Sequence, residues 1–414
     1  MKRLVPFVTT LAGLFVLALV MGTFATGCGT TDDWQPPRDL SATEVSLVGS
    51  SNGFGFTFFN ELLAQSDGGN VFVSPLSVSM ALGMVYNGAR GGTEQGMRQC
   101  LQFGNLSLEE VNQGYKGLVD LLTGMDSRVK MEIANSIWYR EGFEVLQDFI
   151  DANVTFFGAA VTAMDFADSG AADTINAWVS EKTHGKIDKI VDSPIDDTLV
   201  MFLINAVYFK GTWVSQFDPA ETQDAIFHAP DGDKNVKMMH IEDKLRILDS
   251  ADFQAVDLPY GHGLFSMTII LPHPDKNIDQ VAAGLDASSF TASLGQFEER
   301  ENCQLYMPRF EMEYEKTLND VLIALGMGDA FDEVKADLTG INPAGGLFIS
   351  FVKHKSYVKV NEEGTEAAAV TSVGVGTSSM PEQMRVDRPF LFIIHDSHSQ
   401  ALIFMGKIVD PPSE

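Results

Sequence analysis

The sequence predicts an α+β fold, and three observations carry that reading. Ser74-Pro75 starts a helix early in the chain, Leu199 to Phe209 is an almost continuous apolar run, and strand-like segments dominate everything after it. A serine hydroxyl can accept from the free amides of a first helical turn, and proline at the first helical position lacks an amide that would be unpaired there anyway. A helix is therefore expected from about Leu76 to Asn87, with Met80, Met84 and Val85 on its apolar face, and Thr93-Glu94 opens the next one. Lys130 to Tyr139 alternates in part and reads as a strand. The run Leu199 to Phe209 reads as a strand covered on both faces, in the middle of a sheet. Further strands are expected at Phe265 to Leu271, Leu305 to Phe310 and Phe348 to Val360. A closing hairpin then pairs Phe390 to Ile394 with Ala401 to Lys407 around the turn Asp396-Ser-His-Ser-Gln400.

The chain has 414 residues, with no proline- or glycine-rich break between Asn52 and Val409, so one large domain is expected there. A net charge of −28 argues against nucleic acid and acidic membrane surfaces as partners and fits a solvated surface. The amino terminus reads as a secretory signal: Lys2 and Arg3 precede an uncharged run whose most apolar part, Leu11 to Met21, is short for a membrane span. Ala25-Thr26-Gly27-Cys28 is similar to a bacterial lipoprotein cleavage site, with Ala25 departing from the usual leucine, and that likeness implies a lipid on Cys28 that tethers without spanning. The boundaries expected are a signal over residues 1–27, a polar tether over 28–48 and one domain over 49–414. The protein is then extracytoplasmic, secreted or held at the cell envelope. Cys100 and Cys303 are too far apart in sequence to propose a bridge and read as buried thiols.

The stretch from Glu362 to Thr371 reads Glu-Glu-Gly-Thr-Glu-Ala-Ala-Ala-Val-Thr, small residues that suit either an exposed loop or a packed strand. At a strand's two-residue period, Thr365, Ala367, Ala369, Thr371, Val373 and Val375 share one uncharged face, and Glu366, Ala368, Val370, Ser372 and Gly374 share the other. A slip of one residue would bury Glu366, so the sequence specifies a register. Gly364 is placed to pivot the chain out of the preceding strand.

Ser74-Pro75-Leu76-Ser77, the run Asn205 to Trp213, Met307-Pro-Arg-Phe310, His354 and Asp387-Arg-Pro-Phe-Leu-Phe392, together with that stretch, resemble the motifs of the serpins, in serpin order. The resemblance implies three β-sheets with about nine helices and an exposed reactive loop whose hinge is Glu362, Glu363, Gly364, Thr365, Glu366, Ala367, Ala368, Ala369, Val370 and Thr371. It implies no catalytic residue, cofactor or metal. It implies a monomer that inhibits a serine protease as a suicide substrate: the loop is cut, and the acyl-enzyme is trapped as the loop enters the central sheet. Strand addition of this kind is a recognised serpin behaviour. Insertion into a neighbour's sheet makes polymers a hazard. Counting the family's usual loop length from Glu362, and its usual spacing back from Pro389, both arrive at the bond Ser378-Ser379, with Thr377 and Met380 as neighbours. A small hydroxyl residue there fits an elastase-like or subtilisin-like target. Ser74, Ser77, Asn205 and His354 match positions beneath the parting strands, and Trp213 matches a cap where the loop first enters.

Leu108 to Thr123, where many serpins carry a basic helix, offers only Lys116, which argues against heparin-type polysaccharide. Other function classes find weaker support. Gly49-Ser50-Ser51-Asn52-Gly53 has the pattern of a hydrolase nucleophile elbow but follows a polar leader instead of a buried strand. His395 and His398 read as a solvated turn lacking a third metal ligand. A non-inhibitory serpin acting as a binding module or chaperone is the remaining alternative.

Overall fold

Ser41 and Glu44 cap each other reciprocally: the Ser41 hydroxyl accepts from the Glu44 amide (3.2 Å) and the Glu44 carboxylate accepts from the Ser41 amide (2.7 Å). They start Ala42–Ala64, the longest helix among the described residues. The computed structural model describes residues 36–365 and 382–412. Arg38 donates to the Glu44 carboxylate and to the Gly117 carbonyl, and the hydrogen bond to Glu44, aided by those from Ser41, holds that carboxyl down to about 2. Leu47 and Val48 are buried. The tether expected over 28–48 is therefore cut short, because a capped helix with a buried face already runs through its last seven residues. The described residues form a single compact unit.

The helix Pro75–Tyr86 follows as expected, with the Ser74 hydroxyl accepting from the Ser77 amide (3.2 Å). The next helix, Gly91–Cys100, begins two residues before Thr93. Six strands form one sheet in the spatial order Phe310–Thr317, Lys353–Asn361, Gly364–Thr365, Met201–Thr212, Val129–Arg140 and Ala160–Met164. The remaining strands form a second hydrogen-bonded system. In it, Gly232–Asp249 pairs with Gln223–Ala229 and Glu298–Pro308 and then, near its end, with Phe253–Tyr260. Two of the three sheets that the resemblance implied thus share a strand. The closing hairpin is Phe390–Asp396 with Leu402–Ile408.

Three strand expectations need correction. Phe348 to Val352 is not strand; the strand starts at Lys353. Leu305 to Phe310 falls across two strands, Glu298–Pro308 and Phe310–Thr317, broken at Arg309. Met201–Thr212 is covered on both faces but unequally. Phe202, Ile204, Ala206 and Tyr208 are buried, and Phe202 and Ile204 pack with Ile175 and Val179 of the helix Ala171–Lys182. Leu203, Asn205 and Val207 on the opposite face are only half-buried, because that face opens on a gap in the sheet.

Candidate functional site

The gap is the site. Gly364–Thr365 lies between Met201–Thr212 and Lys353–Asn361 and pairs antiparallel with both: Thr365 stands opposite Gly211 on one side and Val360 on the other. Beyond this two-residue plug, among the described residues, no ladder joins the two long strands. Gly364 has φ +147°, and a β-carbon there would overlap the carbonyl of Gly211, so glycine is required both by dihedral and by space. Below the plug lies a cavity of about 300 Å³, lined by Ser77, Val78 and Leu82 of the helix, by Leu203 and Asn205, and by His354.

The floor of the gap is polar and buried. The His354 Nε2 accepts from the Ser74 amide (3.2 Å), and the Ser74 hydroxyl donates to the Ile403 carbonyl (2.7 Å). One imidazole thus bolts a strand at the edge of the gap to the helix start that Pro75 and Ser74 define. Burial pushes the His354 imidazole down to about 4, so it is neutral and able to accept at physiological pH. Asn205 donates to Asn135 Oδ1 (2.7 Å), and Asn135 donates to the Phe157 carbonyl (2.7 Å). Among the described residues the buried Asn205 Oδ1 has no hydrogen-bond partner. Ser77 lines the cavity next to these groups. Asn135 was not singled out from sequence, because a lone asparagine in a strand of mixed pattern gives no signal by itself.

At the upper end Trp213 donates through its indole nitrogen to the Asn361 carbonyl (3.0 Å) and stacks on Tyr260 with ring centres 4.2 Å apart. Tyr260 is fully buried and shares a 2.8 Å hydrogen bond with the Thr365 hydroxyl. Glu362 is buried too, accepting from the Thr222 hydroxyl (2.7 Å) with the Arg309 guanidinium 3.7 Å away. Thr222 and Tyr260 sit on segments distant in sequence, so only the fold brings them to the hinge.

The connector after the helix Ala171–Lys182 crosses the gap. On one side His184 packs on Tyr208 (4.4 Å between ring centres) and bonds Glu132 (2.6 Å). On the other, Lys186 lies over the Tyr357 ring, Asp188 pairs with Lys355 (3.5 Å) and Asp192 with Lys353 (2.9 Å). The face of the gap opposite the polar floor is therefore covered by a charged strap.

The structure brings Ser74, Ser77, Asn205, His354 and Trp213 together with Glu362, Glu363, Gly364 and Thr365. Glu366 to Thr371, the bond Ser378-Ser379 and Cys28 lie outside the described residues. The nucleophile-elbow pattern falls inside the helix Ala42–Ala64, with Ser51 buried beside Ser79 (3.4 Å), which removes the strand-to-helix turn that a hydrolase would need. His395 is not solvated: it is buried in the closing hairpin, with Nε2 3.0 Å from the Thr268 hydroxyl. Cys100 and Cys303 are buried free thiols. Lys116 pairs with Asp120 one turn away in the helix Leu108–Leu122. Among the described residues no cluster of three or more metal-ligating side chains occurs.

A profile of the family described as serpin (serine protease inhibitor) matches residues 49–411. Human Serpin B11 is 35% identical over 393 residues, covering 88% of this chain and 100% of that protein. Human leukocyte elastase inhibitor is 33% identical, covering 88% of this chain and 99% of its own length. Among solved structures, the native thermophilic serpin tengpin is 31% identical with a TM-score of 0.81, covering 91% of this chain and 97% of that one. Human thyroxine-binding globulin complexed with thyroxine is 25% identical with a TM-score of 0.82, covering 90% of this chain and 100% of that one.

Proposed function

The chain belongs to the serpin family, and on that premise we propose that it is an inhibitory member, a suicide substrate that traps an elastase-like or subtilisin-like serine protease at Ser378-Ser379. The observation that carries this reading is the seated pair Gly364–Thr365 at the head of an unzipped gap. Its register, extended downward, sets the next loop residues against named partners. Ala367, Ala369 and Thr371 would share the face of Val358, Ser356 and His354, all buried, and Thr371 would come level with both Asn205 and His354. That places a hydroxyl donor beside the unpartnered Asn205 Oδ1. On the strap side Glu366 would lie between Lys210 and Lys359, and Ala368 between Tyr208 and Tyr357. Small and oppositely charged residues thus meet the room and charge available to them.

The mechanism follows from this fit. The protease nucleophile forms an acyl-enzyme with Ser378. The cut loop zips downward from Thr365, exchanging solvent for two ladders of backbone hydrogen bonds and a packed core face, and it carries the protease along. The protein contributes the slot and the strand and no catalytic group of its own. We also propose that residues 1–27 direct export and that Cys28 carries a lipid, which the mass of the mature amino terminus would reveal.

The elastase inhibitors among the relatives favour the inhibitory reading. Thyroxine-binding globulin among the structural relatives favours the alternative, a serpin that serves as a binding module. Mixing the protein with a pancreatic-type elastase and with a subtilisin, followed by a denaturing gel and peptide mapping, separates the two. A covalent band and a released peptide beginning at Ser379 are expected. Clean cleavage with no complex, and no gain in heat stability afterwards, would overturn the proposal.

A further inference from the structure

We propose that Asn361 is the positioning residue that keeps the hinge seated in the sheet before any protease arrives. This rests on the inhibitory reading and adds to it a residue and a state. Asn361 ends the strand Lys353–Asn361, and its side-chain Oδ1 accepts from the amides of both Glu363 (3.1 Å) and Gly364 (3.2 Å). Asparagine makes such bonds readily because its short amide reaches backbone groups two and three residues ahead. The bonds close a reverse turn that delivers Gly364 and Thr365 back alongside Val360 as the second arm of a tight hairpin.

Three carbonyls of the turn are taken up by the segment that follows Met201–Thr212. The Asn361 carbonyl accepts from the Trp213 indole (3.0 Å), the Glu363 carbonyl from the Trp213 amide (2.9 Å), and the Glu362 carbonyl from the Phe217 amide (2.9 Å). Tyr260 then holds Thr365 through its hydroxyl. Beyond its backbone ladder, the turn thus has one internal side-chain fastening, Asn361, and several external ones.

The consequence is kinetic. Loop insertion competes with hydrolysis of the acyl-enzyme, and the slowest part of zipping a strand is fixing its first residues before later ones return any bonding. A hinge already seated by Asn361 removes that delay. Without the side-chain acceptor the two amides lose their partner and the seated state is depopulated by about fivefold, the worth of two ordinary hydrogen bonds at the low end of their range.

The test compares wild type with Asn361→Ala and Asn361→Asp, the second of which keeps an acceptor at the same reach. Three quantities are read: the moles of inhibitor consumed per mole of protease trapped, the rate of acylation, and deuterium exchange at residues 211–212 and 361–365. Asn361→Ala is expected to consume several-fold more inhibitor, to be acylated no more slowly, and to exchange faster at those amides. Asn361→Asp is expected to match wild type, and equal unfolding midpoints verify that all three fold. Unchanged consumption together with unchanged exchange, or an aspartate variant that behaves like the alanine one, would overturn the proposal. If wild type traps neither protease, the inhibitory reading fails, and the exchange comparison alone decides whether Asn361 seats the hinge.

Discussion

Replacing His354 tests whether the floor of the gap controls its opening. The imidazole is buried, accepts from the Ser74 amide and is held neutral, with its pKa lowered from 6.5 to about 4 by burial. Because the folded value is the depressed one, the group contributes its full share of stability above the unfolded pKa. That share falls away as pH drops from about 6.5 towards 4, where the unfolded chain takes up a proton that the folded one refuses. The gap between the two values corresponds to about 3 kcal/mol over the whole window. Protonation also ends the role of Nε2 as acceptor, so the strand Lys353–Asn361 loses its bolt to the helix start and the gap widens. His354→Gln retains an acceptor and does not titrate. His354→Ala leaves the Ser74 amide without a partner at any pH, costing about 1–3 kcal/mol in addition to lost packing. Urea midpoints and the half-time of heat-induced polymerisation, each measured from pH 5 to 8, should show a steep acid weakening in wild type. The glutamine variant should give a flatter profile, and the alanine variant a uniformly weaker one with protease association unchanged. Parallel pH profiles for wild type and His354→Gln would refute the assignment.

Three other outcomes follow from the same geometry. Thr371→Val should leave the native protein unaltered but lower the heat stability gained on loop cleavage by about 1–3 kcal/mol, the usual cost of a buried acceptor left unpaired, here Asn205 Oδ1; calorimetry of native and cleaved forms reads the difference. Asp188→Asn with Asp192→Asn should loosen the strap from Lys355 and Lys353 and speed insertion by no more than about thirtyfold, since each of the two pairs has an exposed partner and such pairs are worth about 0–1 kcal/mol; stopped-flow fluorescence with saturating protease measures it. Cys100, whose thiol is pushed up to about 12 by burial, and Cys303, raised by burial as well, should resist a disulfide reagent at pH 8 until urea unfolds the chain; rapid reaction of either in the native state would contradict the packing.

What could be read ahead of the structure had a common character: it was local. Ser74-Pro75 marks a helix start because the cap and the missing amide act within one turn. The apolar run from Leu199 marks a covered strand because coverage demands it, although the alternation of Phe202, Ile204 and Ala206 with half-buried Leu203 and Asn205 depends on a gap that the run itself cannot reveal. Gly364 was identifiable as a pivot, yet the reason it must be glycine lies partly in the Gly211 carbonyl, about 150 residues away along the chain. Tyr260, Thr222 and Asn135 escaped notice for the same reason. Each is an ordinary residue in an ordinary strand or turn, made functional only by what the fold sets opposite it.

On the proposed insertion, the two faces of the gap would account for the alternation of the loop sequence. One face ends in a polar floor where Asn205 keeps an acceptor free and His354 is already engaged, so a strand arriving there must bring a small donor and no charge. The other face is roofed by the strap, where Lys355 and Lys353 are engaged by acidic partners and Tyr208 and Tyr357 stand beneath His184 and Lys186. On the proposed insertion, an acidic residue near the top of that face would come level with Lys210 and with Lys359, which already pairs with Glu311 (2.7 Å), and a large one lower down would have to lift the strap. Glu366 followed by Ala368 answers both demands, whereas a shift of one residue would set Glu366 against the packed side of Val360 and Val358. If the loop inserts as proposed, register would be enforced twice, by what the core face excludes and by what the strap face attracts. An insertion error in this chain should be rare for the same reason that the sequence alternation is strict.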